Sequence, residues 1–310
     1  MTSASAPGKV ILFGEHAVVH GRPALAVPVT QVHVDVEIRD SSRAGIWLHA
    51  PGIYLHAELS KLPRTNALRT VIENVFRSLG MVAAPSLKVT VKSSIPVASG
   101  LGSGAAVAVA VTRALSSHLG YPLSDEQVNA LAFEAEKLHH GTPSGIDNTV
   151  ITYSRPVYFI KNQPIETFNV GSPFTIVIGD TGISAPTRES VGDVRKLWEA
   201  DKAKWETVFN QIREIVQAAK NAIESGKWPK LGPLMDENHA LLQQMTVSSP
   251  ELDRLVLAAK TSGAIGAKLS GGGRGGNMIA LVHDSDAEKV ADALKAAGAK
   301  NSIITKIENI

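Results

Sequence analysis

A glycine-rich stretch that leads into an apolar run most constrains what this chain can fold into. It reads IPVASGLGSGAAVAVAVTRALSSHL, with single residues separating Gly100, Gly102 and Gly104. Glycine allows a tight turn and a close approach to a ligand, because it has no Cβ. A helix that starts after such a loop directs its free N–H groups back at the loop, which favours a bound anion. We therefore predict a phosphate-binding loop over Ile95–Ala106 and a buried helix over Ala105–Leu119. The alternative is a flexible turn before a core helix.

Composition narrows the class of protein. A chain of 310 residues is long enough for two domains. With 44% apolar and 19% charged residues it has the profile of a soluble globular protein. No apolar run reaches the roughly 20 residues of a membrane span, and the N-terminus has no secretory pattern. The absence of cysteine excludes disulfides and thiolate sites, and a net charge of +2 argues against nucleic-acid binding. We expect a cytoplasmic protein that binds neither membranes nor nucleic acid.

Hydrophobic spacing predicts alternating strands and helices in the first half of the chain. The predicted strands are Lys9–Phe13, Val27–Ile38, Leu87–Val91 and Val157–Ile160, and the predicted helices are Pro63–Leu79 and Ser124–His139. Ser124 and Gln127 form a capping box at the start of the second of these helices. The segment GTPSGIDNTV follows and is interpreted as a turn-rich stretch that enters a strand.

The second half begins after a segment rich in Pro, Gly, Asn and Ser, Asn162–Pro173, near which we place a domain boundary. Strand Phe174–Asp180 is followed by long helices as far as Ser225. Further helices are predicted over Lys230–Gln244, Glu251–Ser262 and Ala287–Ala297, and further strands over Ala267–Ser270, Asn277–His283 and Ser302–Ile307. After its first strand, the second half therefore contains helices, then two strands, a helix and a final strand.

Two glycine patterns imitate the dinucleotide-binding fingerprint without meeting its requirements. Gly100, Gly102 and Ala105 have the spacing, but the predicted strand ends several residues earlier, before Pro96. The acidic residue at the required distance, Asp125, lies at a helix start rather than at a strand end. The second pattern, GGGRGG, is followed by the strand-like NMIALV, and no P-loop spacing occurs. The chain therefore has loops suited to phosphates but neither common nucleotide motif.

Four segments together resemble one family. PGKVILFGEHAVVHG at Pro7–Gly21, PVASGLGSGAA at Pro96–Ala106 and KLSGGGRGG at Lys268–Gly276 are similar to the three motifs of the GHMP kinases. GEHAVVHG, with HGTPSGIDN at His140–Asn148, resembles the mevalonate kinases within that superfamily. The four segments occur in the family's order and span nearly the whole chain.

The resemblance implies a two-domain α+β fold with the active site in the cleft between the domains. The N-terminal domain, residues 1–168, would be of the ribosomal-protein-S5-domain-2-like type, and the C-terminal domain, residues 169–310, would be ferredoxin-like. The implied activity is transfer of the γ-phosphoryl group of ATP to the C5 hydroxyl of (R)-mevalonate, with Mg²⁺ as cofactor. The implied partners are these small molecules, and a homodimer is compatible with the resemblance.

The resemblance also assigns roles to individual residues. Asp147 matches the catalytic aspartate and Lys9 the lysine that pairs with it and neutralises developing charge. Glu136 matches the magnesium-binding glutamate, and Ser103 could supply a second metal ligand. Taken alone, each has an ordinary structural explanation: Asp147 could order its turn, Lys9 could be solvated, and Glu136 could be an exposed helical glutamate.

Two sets of binding residues follow from the same motifs. The residues expected around the nucleotide phosphates are Pro96, Ala98, Ser99, Gly100, Leu101, Gly102, Ser103, Gly104, Ala105 and Ala106. The residues expected to contact mevalonate are Glu15, His16, Ser144, Asp147, Thr187 and Gly272.

At two positions the chain departs from the family pattern. Gly104 stands where the family usually has a second serine, whose hydroxyl approaches the metal. Arg274 replaces a glycine of the third motif, and we favour a phosphate contact over a side chain turned to solvent, because arginine suits phosphates.

Alternative functions stay open at this point. They are a kinase for another small alcohol, a mevalonate-derived decarboxylase, and a ligand-binding regulator without catalysis. Lys9 argues against the decarboxylases, which generally lack it, and the presence of Lys9, Glu136 and Asp147 argues against a non-catalytic protein.

Overall fold

The computed structural model describes residues 1–96, 99–140, 144–184 and 186–309, without the side chains of residues 138–140. Its contacts divide the chain into two compact units. The first contains Met1–Gly8, Val32–Val97 and Leu101–Ser154, and the second contains Lys9–Gln31, Ala98–Gly100 and Arg155–Ile310. The predicted division of the family domains after residue 168 stays a prediction.

Two long strands, β1 (Thr2–Phe13) and β2 (Ala24–Asp40), contribute residues to both units and pair with each other. In the first unit, Val34–Asp40 of β2 pairs antiparallel with β5 (Leu87–Ser93). The other side of β5 pairs in parallel with β3 (Ile46–Ala50), which pairs antiparallel with β4 (Leu55–Glu58).

The helices of the first unit are α1 (Ala67–Ser78), α2 (Ser103–His118), α3 (Asp125–His140) and α4 (Ile146–Tyr153). The buried face of α1 is the predicted one and comprises Leu68, Val71, Ile72, Val75 and Phe76. Helix α2 packs against the other three helices and buries most of its Ala and Val side chains. The capping box at α3 is confirmed, since the Ser124 backbone N–H donates to Gln127 Oε1 at 2.9 Å.

The prediction that the turn-rich stretch GTPSGIDNTV enters a strand is wrong, because helix α4 forms there instead. The first residues of that stretch, 141–143, lie outside the described residues. The β-branched residues of α4 favour a strand by propensity alone. Gly145 starts the helix in a left-handed conformation, with φ of 93°. Asn148 is buried and donates from Nδ2 to Asn129 Oδ1 on α3 at 2.5 Å. This tertiary contact outweighs the local preference.

The second unit contains strands β6 (Val157–Phe159), β7 (Glu166–Thr167), β8 (Phe174–Asp180), β9 (Gly266–Ser270), β10 (Asn277–Val282) and β11 (Asn301–Ile307). Its helices are α5 (Thr187–Ala200), α6 (Lys202–Glu224), α7 (Leu231–Gln244), α8 (Pro250–Thr261) and α9 (Ala287–Ala296). Strands β8 to β11 form an antiparallel sheet in the order β11-β8-β10-β9. This fourth-first-third-second order is that of the ferredoxin-like fold, as predicted.

Strand β9 lies at the edge of this sheet, against α7. A Cβ added at Gly266 would lie 2.2 Å from the carbonyl oxygen of Gly232 on α7, so only glycine allows this approach. Among the described residues, no helix is both long enough and apolar enough to cross a membrane.

Candidate active site

The glycine stretch ends at the N-terminus of α2, in a geometry suited to an anion. Gly100 and Gly102 have φ of 78° and 76°, which L side chains rarely adopt. Gly102 is the N-cap residue, and its carbonyl accepts from the Ala106 N–H at 2.9 Å. Because a glycine N-cap has no side chain to bind the first-turn N–H groups, those donors can bind a ligand phosphate. Helix α2 begins at Ser103, two residues before its predicted start.

Neighbouring residues hold this loop in place. Leu101, Ala105 and Ala106 are buried in the first unit. In the second unit, the Asn277 side chain donates to the buried carbonyl oxygen of Ser99. Of the predicted phosphate-binding residues, only Ala98 lies outside the described part of the chain.

Glu136 and Gly104 lie next to each other in the first unit. Glu136 is on α3 and is 5% exposed. A Cβ added at Gly104 would lie 3.2 Å from Glu136 Oε1, which is tighter than most side-chain contacts. Gly104 lies inside α2 and its φ is not positive, so this space, not the backbone conformation, is what glycine provides.

This arrangement fits a magnesium ion that also binds nucleotide phosphates. Mg²⁺ usually takes one or two carboxylates plus phosphate oxygens and water. Within the described residues, no three His, Asp or Glu side chains form a metal-binding group. Glu136 next to the N-terminus of α2 therefore suits an ion that arrives with its phosphates.

Asp147 lies in the first turn of α4, directly after the left-handed N-cap Gly145. Nearby polar contacts define this helix start. The Ile146 N–H approaches Ser144 Oγ at 3.4 Å, and the Thr149 hydroxyl donates to the carbonyl oxygen of Gly145 at 2.7 Å. The Asp147 carboxylate thus lies at the positive end of the α4 helix dipole.

The predicted substrate residues Glu15 and His16 directly follow β1, whose residue Lys9 is buried. Glu15 forms an ion pair with Lys268 of β9, and both side chains are fully buried. Lys268 Nζ also donates to the carbonyl oxygen of Leu269 at 2.6 Å. Burial raises the pKa of Glu15, and the nearby Lys268 charge acts in the opposite direction.

His16 has a left-handed backbone, with φ of 61°. Its Nε2 donates to the carbonyl oxygen of Gly272 at 3.1 Å. Burial lowers the pKa of His16 to about 4, so the imidazole is neutral near pH 7. A Cβ added at Gly272 would lie 2.8 Å from Thr187 Oγ1. Within the second unit, the structure thus brings together Glu15, His16, Gly272 and Thr187.

Arg274 binds protein groups instead of pointing to solvent. Its Nη1 forms an ion pair with Asp193 Oδ2 at 2.7 Å, and its Nε approaches the carbonyl oxygen of Thr246 at 3.3 Å. Its φ is 58°, a left-handed conformation that explains why glycine suits this position. The guanidinium is therefore already engaged by a carboxylate from α5, which weakens the expectation of a phosphate contact.

Sequence reasoning missed Lys268, although it opens the third motif. A lysine in a strand next to a glycine loop gives no sign that it is buried. The apolar neighbours of Lys268 in β9 would even suggest a solvent-facing lysine, because successive side chains of a strand point to opposite faces, yet every residue of β9 is buried.

Profiles of two known domains match the chain. The GHMP kinases N terminal domain matches residues 66–155, and the GHMP kinases C terminal domain matches residues 218–300. The mevalonate kinase of Pyrococcus abyssi is 38% identical over 98% of this chain and 95% of that protein. The chain belongs to the GHMP kinase family.

Solved structures agree with this membership. The L. major mevalonate kinase, crystallised in complex with R-mevalonate, is 31% identical, with a TM-score of 0.87 over 99% of this chain and 96% of that one. A Streptococcus pneumoniae phosphomevalonate kinase has a TM-score of 0.82 at 17% identity over 98% of this chain and all of that one, which shows the shared fold alone. The predicted family and its two-domain fold are confirmed. This GHMP kinase is thus one of a group of enzymes that use ATP.

Proposed function

We propose that this GHMP kinase is a mevalonate kinase, which transfers the γ-phosphoryl group of ATP to the C5 hydroxyl of (R)-mevalonate. The products are 5-phosphomevalonate and ADP. The observation that carries the proposal is the near full-length identity of 38% with a mevalonate kinase. The grouping of Glu15, His16, Gly272 and Thr187 supports it, because these are the residues expected to contact mevalonate.

Phosphoryl transfer depends mainly on positioning and on neutralising charge. The N–H groups at the start of α2 are suited to hold the phosphates of ATP. Lys9, buried on β1, is the proposed cation that offsets the negative charge on the transferred group and on the attacking oxygen. Glu136, with Ser103, is proposed to hold Mg²⁺, which supplies positive charge to the β- and γ-phosphates when bound.

Asp147 is the proposed general base. The C5 oxygen of mevalonate forms a bond to the γ-phosphorus while the bond from that phosphorus to the β,γ-bridging oxygen breaks. The C5 hydroxyl proton passes to the Asp147 carboxylate, and ADP leaves with the bridging oxygen. The first turn of α4 suits this role because it places the Asp147 carboxylate at the positive end of the helix dipole.

An ADP-release assay over four acceptors tests the proposal. Mevalonate, phosphomevalonate, homoserine and galactose are compared at matched ATP and magnesium concentrations. We expect kcat/KM for mevalonate to exceed that for each other acceptor by roughly 10²-fold or more. A higher value for another acceptor would assign the enzyme to that substrate. If ADP were released at the same rate with and without each acceptor, none of the four compounds would be the substrate.

A further inference from the structure

The ion pair between Lys268 and Glu15 lies in an environment where an ion pair is costly. Both side chains are fully buried, and the two residues are 253 positions apart in the sequence. Removing two charges from water is expensive, and apolar residues of similar volume often stabilise a fold equally well. A contribution to the stability of the fold therefore does not by itself explain why the chain has a buried ion pair here.

The two oxygens of the Glu15 carboxylate differ in their contacts. Lys268 binds Oε1, whereas Oε2 is buried and accepts no hydrogen bond from the described part of the chain. His16 shows the same feature: its Nε2 donates to Gly272, and its buried Nδ1 has no partner among the described residues. Consecutive residues thus present two buried hydrogen-bond acceptors. Since an unsatisfied buried acceptor is unfavourable, a hydroxyl-bearing ligand would gain by binding here.

The strand that carries Lys268 is held from both sides. The Ser270 hydroxyl donates to the carbonyl oxygen of Ile11 on β1 at 2.8 Å. The Leu269 N–H donates to His239 Nδ1 at 3.3 Å, and His239 Nε2 donates to Asp253 Oδ1 at 3.2 Å. Because β9 is an edge strand, the histidine satisfies an amide that has no neighbouring strand on that side. Lys268 therefore has a fixed position relative to the end of β1, where Glu15 lies.

We propose that Lys268 is a positioning residue, which keeps Glu15 ionised and leaves its Oε2 as the acceptor for a hydroxyl of the phosphoryl-accepting substrate. This inference rests on the proposed function, because Glu15 is taken to contact mevalonate. Lys268 does not itself touch the substrate in this account. It acts through the charge and the orientation of Glu15.

Electrostatics in this part of the second unit agree with that role. Burial raises the pKa of Glu15, and the Lys268 charge is the largest influence that opposes it. Without Lys268, Glu15 would bind a proton at a higher pH and lose its acceptor character. Arg274 acts electrostatically on His16 but is paired with Asp193. Besides Glu15, the titratable side chains among the described residues that interact electrostatically with Lys268 are His16 and His239, and burial lowers the pKa of both. Neither provides a positive charge near pH 7 that could replace Lys268.

The test compares Lys268→Met with the control Lys260→Met. Lys260 pairs with Asp236 at 2.5 Å in the same unit, and both of these side chains are partly exposed. For Lys268→Met we expect kcat/KM for mevalonate to fall at least about tenfold, with KM for ATP within about twofold of wild type. We also expect the acidic limb of the kcat/KM profile to move at least about one pH unit upward. The control should show neither effect.

A second comparison remains informative if Lys268→Met does not fold. Glu15→Gln/Lys268→Met removes both charges and is compared with Glu15→Gln alone. If Lys268 acts through Glu15, the two variants have the same kcat/KM for mevalonate within about twofold. A further loss in the double variant would overturn the proposal. An unmoved acidic limb in a folded Lys268→Met enzyme would also overturn it.

The outcome for wild type separates this inference from the proposed function. If wild type does not phosphorylate mevalonate, the proposed function fails, and the same variants are measured with the acceptor that wild type uses. If wild type phosphorylates mevalonate but Lys268→Met behaves like Lys260→Met, only the role of Lys268 fails.

Discussion

The helix starts of the first unit and the buried ion pair of the second unit differ in the groups that they offer to a ligand. Helices α2 and α4 both begin after a left-handed glycine, Gly102 or Gly145, and present backbone N–H groups. The second region depends on the side chains of Glu15, His16 and Lys268, which the fold assembles from both ends of the chain. The first region offers donors to an anion, and the second offers acceptors to hydroxyl groups.

This contrast between backbone and side-chain groups explains which candidate site residues can be predicted from a sequence. Backbone recognition requires glycine at fixed positions, and glycines at short spacing are visible as a pattern. Side-chain recognition in a buried pocket depends on contacts between distant residues. A lysine with a partner 253 positions away gives no local signal.

The largest expected effect is at the start of α4. Asp147→Asn keeps the shape of the side chain but removes the base, so kcat should fall by roughly 10²–10⁴-fold. Binding of ATP should persist, which equilibrium titration with a fluorescent nucleotide would measure. If turnover stayed above about a tenth of wild type, the assignment of Asp147 as general base would be wrong.

The stability contributed by the second region should depend on pH through His16. Burial lowers the pKa of His16 from its ordinary 6.5 to about 4, so the unfolded chain binds more protons than the folded chain in this range. The free energy of unfolding should therefore fall as pH drops from 6.5 to 4, by up to about 3 kcal/mol from His16 alone.

His16→Asn removes this titration while tolerating the left-handed backbone. Urea unfolding at several pH values would compare the two proteins. The difference between wild type and His16→Asn in free energy of unfolding should change with pH over this range. Parallel curves would show that His16 is not the group that is buried in its neutral form.

The magnesium concentration required for activity tests the helix-start region. Glu136→Gln should raise the magnesium concentration for half-maximal activity at least about tenfold, because the ion loses its carboxylate. Gly104→Ala and Gly104→Ser form a matched pair, since each adds a Cβ 3.2 Å from Glu136 Oε1 and only serine adds a hydroxyl.

If the serine hydroxyl can act as a ligand, Gly104→Ser needs less magnesium than Gly104→Ala. If steric contact with Glu136 dominates, both variants need more magnesium than wild type by similar amounts. Binding of Mn²⁺ to the complex of each variant with ATP provides a readout independent of turnover. An unchanged requirement in Glu136→Gln would remove Glu136 from the metal site.

The smallest expected effect is at Arg274. Arg274→Gly loses an ion pair between partly exposed groups, which contributes little because solvent screens it. The substitution also relieves a left-handed arginine, which offsets part of that loss. The free energy of unfolding should stay within about 1 kcal/mol of wild type in urea titrations. A larger loss would mean that the contact with Asp193 orders the glycine loop.

Much of the fold followed from local rules. The buried face of α1, the capping box of α3 and the four strands of the sheet β11-β8-β10-β9 were predicted from spacing and composition. The short strand β7 was not, because it lies in the segment near which we placed a domain boundary. The strand predicted to follow the turn-rich stretch GTPSGIDNTV was wrong, because a buried pair between Asn148 and Asn129 and the left-handed Gly145 favour helix α4. Residues 41–62, which form β3 and β4, gave no prediction at all.

The candidate site was predicted unevenly for the same reason. The proposed roles of Asp147, Glu136 and the residues around Gly102 come from their motifs and stay predictions. The space that Gly104 leaves beside Glu136 and the partner of Arg274 depend on side chains from other helices. Such contacts are properties of the folded chain, and no spacing rule contains them.

The position of the transferred phosphate tests the central claim most directly. Wild-type enzyme is incubated with ATP, Mg²⁺ and (R)-mevalonate labelled with ¹³C at C5, and the products are followed by ³¹P and ¹³C NMR. The account predicts one new phosphomonoester, coupled to the labelled carbon, and ADP in equal amount. Formation of ADP with inorganic phosphate alone, or of a phosphate not coupled to C5, would contradict it.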